Sequence, residues 1–315
     1  MKLSPVFKDY LWGGHRLHDE LGKDCGTGIT AESWELSTHP DGFCRIASGT
    51  AAGETLAAWL ADHPAVLGTR AGGRTDMPIL IKLIDAAQNL SVQVHPDDDY
   101  ARRVESDAGK TEMWYILDAA EGAEVICGVA EELSREELAA KAADGSIVSA
   151  LRHVPVRRGD ALLVRAGTLH GIGAGVLICE IQQSSNVTYR VYDYDRVQAD
   201  GTKRELHLQK SLDVIDFGAK PITSGRVSAP TTNGITQLVC CPRYTVWHVR
   251  ATGTATLSSP KTFYCASVIE GTGRASDHEL RKGDHFIVPA GYGTLRFEGD
   301  MQLIVSTVPA NDQAA

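Results

Sequence analysis

Two short stretches of the 315-residue chain place polar, chemically able side chains at alternating positions among apolar ones. In Leu90-Ser-Val-Gln-Val-His-Pro-Asp-Asp98, Gln93 and His95 are two apart and share one face of a strand that Pro96 ends. In Lys110-Thr-Glu-Met-Trp-Tyr-Ile-Leu117, Lys110 and Glu112 share a face in the same way. A third stretch, from Gly159, ends in His170 just past a turn. Gln93, His95, Glu112 and His170 together offer two imidazoles, a carboxylate and an amide oxygen, a set suited to zinc with positions left open for water or substrate. By ligand type alone, His95, Glu112 and His170 equally make a two-histidine, one-carboxylate iron triad. Gln93 favours zinc, because a fourth protein ligand leaves less room for oxygen chemistry. A lone strand histidine reads as a hydrogen-bonded core residue and a lone glutamate as solvated, so the joint pattern carries the metal reading.

Two cations add to it. Lys82 lies inside the apolar run Ile79-Leu-Ile-Lys-Leu-Ile84. Burying an unpaired charge costs several kcal/mol. Lys82 therefore reads either as an inward lysine paired with a structural carboxylate or as a cation of an anionic-substrate pocket. Arg190 closes the segment Glu180-Ile-Gln-Gln-Ser-Ser-Asn-Val-Thr-Tyr-Arg190 and can reach the same pocket. Its planar donors suit a phosphate or an enediolate oxygen; taken alone it reads as a surface ion pair.

The elements that must position these groups are mostly strands. Apolar or alternating runs at 79–84, 90–94, 112–117, 124–129, 161–164, 176–181, 237–239, 245–249, 286–288 and 302–305 are bounded by Gly, Pro, Asp and Asn. Helical patterning is confined to 54–67, to a capping box at Ser134-Arg-Glu-Glu137 opening a helix toward 143, and to a helical or mixed stretch at 205–217. Asp97, Asp98 and Asp99 read as a solvated turn. The Gly-, Pro-, Ser- and Thr-rich segment 218–234 reads as a linker.

An internal echo organises the chain. Gly159-Asp-Ala-Leu-Leu-Val-Arg-Ala-Gly-Thr-Leu-His170 parallels Gly283-Asp-His-Phe-Ile-Val-Pro-Ala-Gly-Tyr-Gly-Thr294: a tight turn, a buried strand, and a second turn that aims the next side chain inward. The spacing resembles the second conserved motif of cupins, whose last position is a metal-binding histidine. The expectation is a mainly β fold of two cupin-type jelly-roll barrels with a few helices inserted or flanking. The first domain, 1–217, holds the metal and a helical insertion around 131–151. The second, 218–315, has Thr294 where the histidine would stand.

Composition narrows the function. A net charge of −9 argues against a nucleic-acid partner, which would need a basic face. No apolar run approaches a membrane span, and the first ten residues do not read as a signal peptide. Seven cysteines without a Cys-x-x-Cys pair read as reduced thiols. The expected location is the cytoplasm.

The chain also resembles class I mannose-6-phosphate isomerases of the short bacterial kind, nearly end to end. The resemblance runs through residues 5–14, Glu32-Ser-Trp-Glu-Leu-Ser37, 90–98, Gly109-Lys-Thr-Glu112, Gly167-Thr-Leu-His170, 180–196 and Leu212-Asp-Val-Ile-Asp-Phe217. It implies one zinc on Gln93, His95, Glu112 and His170, and interconversion of mannose 6-phosphate and fructose 6-phosphate through a cis-enediolate. It makes Arg190 and Lys110 catalytic and places Ser91, Lys82 and Lys110 around the sugar phosphate. Asn186 stands where some relatives carry an acid, and an amide is no general base; Asp193 and Asp195 are the nearby substitutes. A sugar-sensing cupin would have no need of Lys110 and Arg190, and an iron dioxygenase would leave Gln93 and the cations unexplained.

Overall fold

The computed structural model describes residues 1–198, 200–259, 261–276 and 278–309. The fold is mainly β, with short helices. A six-stranded antiparallel sheet runs in the order Ala161–Val164, Glu112–Ala119, Val176–Gln183, Ile79–Ala86, Glu32–Leu36, Val6–Lys8. Facing it is a five-stranded sheet in the order Tyr189–Tyr192, Val92–Val94, His170–Ile172, Glu124–Val129, Leu151–Pro155. A seven-stranded sheet takes up the chain from Thr231–Thr232 onward and includes two 15-residue strands, Thr245–Ser259 and Gly293–Thr307, paired along their length.

The period of two along each strand sorts side chains into layers. From the six-stranded sheet, Ile79, Ile81, Leu83, Met113, Tyr115, Leu117, Leu177, Cys179 and Ile181 pack outward against Val246, Cys265, Ile287 and Ile304 of the seven-stranded sheet. Their neighbours Ile84, Ala86, Trp114, Ile116, Val176 and Ile178 turn inward. Both faces of this sheet are buried, which is why its strands read as near-continuous apolar runs. It also explains Lys82, which occupies an inward position of a strand that has no wet face.

The five-stranded sheet is covered outside by the helices Arg135–Asp144, Ile147–Ala150 and Leu208–Val214. Val92, Val94, Tyr189 and Val191 meet Leu138, Ala142, Ile147 and Leu212 there. The first helix has the expected capping box, Ser134 and Glu137 each bonding the other's backbone N–H, and ends at Gly145 with φ 80°. Such a cap contributes about 1 kcal/mol.

Several local expectations are corrected. The 54–67 pattern is a helix only over Leu56–Asp62, followed by a 3₁₀ turn at Pro64–Leu67, because Pro64 has no N–H to continue the ladder. The 205–217 stretch is helical over Leu208–Val214. Asp97 to Asp99 are not a solvated turn: Asp97 caps the helix Asp98–Val104, and Asp98 is buried, accepting from the Gly109 N–H and pairing with Arg243 at 2.6 Å. Thr294 is exposed, so the second copy of the echo does not aim its last side chain inward. Among the described residues no helix is long and apolar enough to cross a membrane.

His285 lies buried beside the six-stranded sheet, its Nδ1 2.8 Å from Ser267 Oγ. Burial, then Lys23 and the chain's amino terminus, push its pKa from 6.5 down to about 3. A histidine kept neutral in the native state gives its full stabilisation above the unfolded pKa and loses it as pH falls toward the native one, at up to about 1.4 kcal/mol per pH unit. The unfolding midpoint in denaturant should therefore fall less steeply between pH 6.5 and 4 for His285→Gln than for the unaltered chain. Equal slopes would show that His285 is not held neutral.

Candidate metal centre and substrate cavity

One row of directly opposed residues crosses the inner face of the five-stranded sheet: Cys127, His170, Gln93, Arg190. A facing row on the six-stranded sheet reads Trp34, Lys82, Glu180, Trp114. Glu112 lies opposite Gln182, one pleat along from that row, and His95 follows the end of the Val92–Val94 strand. Lys110 is brought in by a tight loop in which its N–H donates to Pro96 O at 3.0 Å. A Cβ at Gly109 would stand 2.4 Å from the Asp97–Asp98 backbone, so the loop requires glycine there.

His95, Glu112 and His170 are buried and offer ligand atoms that all lie within 4.8 Å of one another. His95 Nε2 is 3.1 Å from His170 Nε2 and 3.2 Å from Glu112 Oε2; His170 Nε2 is 3.4 Å from Glu112 Oε1. The Gln93 amide lies 3.2 Å from His170 Nε2, and a half-turn of that amide presents its oxygen at the same place. The other ring nitrogens fix the tautomers. His95 Nδ1 is 2.9 Å from Val187 O and His170 Nδ1 2.8 Å from Thr168 O; a carbonyl only accepts, so each Nδ1 carries the proton and each Nε2 a lone pair. Neither Glu112 oxygen accepts a hydrogen bond of good geometry among the described residues, although the Lys110 ammonium stands 2.7 Å from Oε2.

The electrostatics agree. Burial, then Lys110, pushes the His95 pKa down to about 3, and burial lowers that of His170, so both rings are neutral. Burial alone would raise the Glu112 carboxyl, but the Lys110 ammonium 2.7 Å away outweighs it and holds it well below the usual range. Two lone pairs and a carboxylate turned on one point inside a dry core are a donor set for a divalent cation, and the residues present fit one.

Above this centre is a cavity of about 310 Å³, lined by Gln93, Lys110, Ser91, Lys82, Glu32, Glu180, Asn186, Arg190, Arg204 and His207, with apolar and aromatic neighbours. Ser91, Lys82, Lys110 and Arg190, the substrate and catalytic candidates that the resemblance implies, all line it. Lys82 sits 3.5 Å from both Glu32 and Glu180; burial lowers its pKa, but those carboxylates raise it further and keep it charged. Burial, then Glu112, raises the Glu180 carboxyl, whose Oε1 has no hydrogen-bond partner among the described residues. A larger cleft, about 750 Å³, lies elsewhere between Arg70, Asp98 and Arg243, and none of the candidate site residues lines it.

Asp193 and Asp195 are not substitutes for an acid at 186. Asp193 is bound by Arg196 and Arg204, Asp195 is ion-paired with Lys203 outside, and neither lines the cavity. Asn186 instead donates to Asp41 at 2.7 Å. Sequence reasoning missed Arg204 and His207. Their segment runs beside Arg190, with the His207 N–H donating to Arg190 O at 2.8 Å and the Arg190 N–H to His207 Nδ1 at 3.2 Å. Nothing local in the sequence announces that pairing.

Buried histidine and carboxylate ligands on the facing inner strands of a double antiparallel sheet define a metal-binding cupin. Residues 1–134 match the family Phosphomannose isomerase type I, catalytic domain, and residues 234–308 match Mannose-6-phosphate isomerase, cupin domain. The mannose-6-phosphate isomerase of Streptococcus mutans is 40% identical over 302 residues, 94% of this chain and 94% of that protein. The mannose-6-phosphate isomerase ManA of Bacillus subtilis is 40% identical over 312 residues, 96% and 97% of the two chains. A crystal structure of the mannose 6-phosphate isomerase from Bacillus subtilis superposes with a TM-score of 0.88 at 37% identity, covering 97% of this chain and 98% of that one. The chain belongs to the type I mannose-6-phosphate isomerase family, a family of aldose–ketose isomerases.

If the donor set holds a divalent ion, His170→Ala should weaken its binding by at least about 100-fold, since even outer partners of metal ligands are worth 10–100-fold. Metal content after gel filtration and calorimetric titration of the metal-stripped chain would measure this. A His170→Ala protein with unchanged affinity would remove His170 from the centre.

Proposed function

We propose that this chain interconverts mannose 6-phosphate and fructose 6-phosphate, using one zinc per chain held by Gln93, His95, Glu112 and His170. The observation that carries the reading is a cavity lined by Gln93 and three inward cations, Lys82, Lys110 and Arg190, next to the donor cluster of His95, Glu112 and His170, which Lys110 and Gln93 join to it. Two imidazoles, a carboxylate and an amide form a set suited to zinc with a place left for substrate. When bound, the ion supplies a Lewis acid for the negative charge that develops on the sugar oxygens.

The ring opens, the proton at C2 is removed to give a cis-enediolate, and a proton is returned at C1. Ser91, Lys82 and Lys110 bind the sugar, and Lys82 donates to the ring oxygen as it opens. Arg190 faces the cavity from the strand beside Gln93, where its guanidinium stabilises charge on the enediolate oxygens. Lys110, held against Glu112 and His95, acts on the same oxygens at the metal end. Among the described residues the carboxylates on the wall are Glu32 and Glu180. Glu180, raised by burial and with one oxygen unbonded, is suited to take the proton and give it back.

We divide the chain at 217/218: residues 1–217 carry the chemistry, and the described residues of 218–315 back the six-stranded sheet. A cytoplasmic location fits a charged substrate that does not cross membranes unaided.

The test is turnover of mannose 6-phosphate before and after chelation, with metal restored. Activity should disappear on chelation and return with zinc. Full activity in a folded, chelated enzyme would overturn the metal role. No turnover from a folded, zinc-loaded enzyme would overturn the reaction and favour a sugar sensor. Arg190→Ala should keep its metal and lose about 100-fold or more in kcat. A near-normal kcat would take Arg190 out of the chemistry.

A further inference from the structure

The two ends of the cavity differ in charge balance. At the metal end each lysine is matched: Lys110 by Glu112 at 2.7 Å, Lys82 by Glu32 and Glu180. At the other end stand three guanidiniums, Arg190, Arg196 and Arg204; the buried carboxylate of Asp193 binds the last two, and the exposed Asp9 and Asp200 line the adjoining cleft. Arg204 grips Asp193 through Nε at 2.8 Å and Nη2 at 2.5 Å, and Arg196 through Nη2 at 3.0 Å. Arg190 has no carboxylate partner of its own among the described residues; its Nη1 donates to the Glu205 carbonyl at 3.3 Å. The Glu205 side chain is exposed; it pairs with His207 at 3.9 Å and acts on Arg190 only through space. Of the three arginines, Arg190 and Arg204 line the cavity, and Arg204 also lines the adjoining cleft with Asp193, Arg196 and Tyr10. Arg204 therefore stands at the mouth.

The strand order supplies a ruler. His170, Gln93 and Arg190 are directly opposed on neighbouring strands, and the segment ending at His207 runs along the far side of Arg190. Each step across a sheet is about 4.8 Å. The wall thus runs from His170 through Gln93 to Arg190, two steps away, and on to Glu205 and His207 beside it, a segment that Arg204 precedes. A sugar phosphate whose C1 and C2 react at the metal end carries its phosphate at the opposite end of a six-carbon chain. That end meets the surplus of guanidinium, not the matched lysines.

We propose that Arg204 is the residue that anchors the substrate's phosphate dianion at the cavity mouth, pre-oriented by Asp193, with Arg190 between it and the reacting carbons. The inference rests on the sugar-phosphate reading of the site. A guanidinium fork fixed on one side by a carboxylate keeps its remaining N–H donors aimed at one place, which is what tight recognition of a tetrahedral oxyanion needs. Arg204 is a binding residue here; it touches no reacting atom.

The experiment compares the zinc-loaded enzyme with Arg204→Gln and Arg204→Lys. It measures kcat and KM for mannose 6-phosphate, the inhibition constant of inorganic phosphate, metal content and thermal unfolding. Arg204→Gln should raise KM and weaken inhibition by inorganic phosphate by about tenfold or more, the worth of a charge-assisted hydrogen bond. Its kcat should stay within about threefold and its metal content unchanged, and Arg204→Lys should recover part of the loss. Unchanged KM and unchanged phosphate inhibition in either folded variant would overturn the proposal. If the unaltered chain turns over no sugar phosphate, calorimetric binding of inorganic phosphate keeps the two claims apart. Binding that Arg204→Gln abolishes would uphold the anion anchor while the reaction fails; binding that it leaves intact would overturn the anchor itself.

Discussion

Much of the first two-thirds of the chain answers to one constraint: two neutral imidazole nitrogens and an ionised carboxylate, all buried, are held about 3 Å apart with their lone pairs facing. Such a group is unfavourable by itself. Lone pairs at that distance repel, and the desolvation cost of the buried carboxylate is offset by the Lys110 ammonium on one oxygen only. It persists only if the scaffold holds the donors rigidly and a cation satisfies them. The scaffold does so with backbone groups: the carbonyls of Val187 and Thr168 take the Nδ1 protons and fix both rings, and cross-strand pairing holds His170 against Gln93.

The need for rigidity explains the layering. The six-stranded sheet supplies Glu112, Lys82 and Glu180 from its inner face while its outer face is sealed by the seven-stranded sheet. A sheet packed on both sides cannot shift its pleat without opening two cores, so the inward charges stay where they are. The second sheet system, whose echo of the metal turn ends in an exposed threonine, thus contributes to the site without lining it. The five-stranded sheet is clamped from outside by three short helices, which keeps the wall carrying His170, Gln93 and Arg190 flat against the first.

Charge is distributed along the cavity rather than spread evenly. Lys82 and Lys110, near the His95–Glu112–His170 donors, are each matched by a carboxylate; near the mouth Arg196 and Arg204 divide Asp193 between them, and Arg190 has no carboxylate ion pair among the described residues. A dianionic group entering the cavity is drawn to the unbalanced end, which leaves the balanced end for groups that gain charge only as the reaction proceeds.

Much of this was legible in the residues. The alternation of Gln93 with His95 and of Lys110 with Glu112, the turn before His170 and the capping box at Ser134 are written within a few positions, because strand pleat and helix caps are local geometry. The run around Lys82 betrayed a charge inside a strand buried on both faces. The tertiary structure alone decided which charges were already spent. Asp193 looked available until two arginines were found on it, Asp98 looked solvated until the Lys110 loop folded over it, and Arg204 and His207 joined the cavity only through a long-range pairing beside Arg190. Strand pairing and ion-pair partners are set by which distant segments share a core. No period within one segment records that, and for this reason the metal donors could be read from the chain while the far end of the substrate cavity could not.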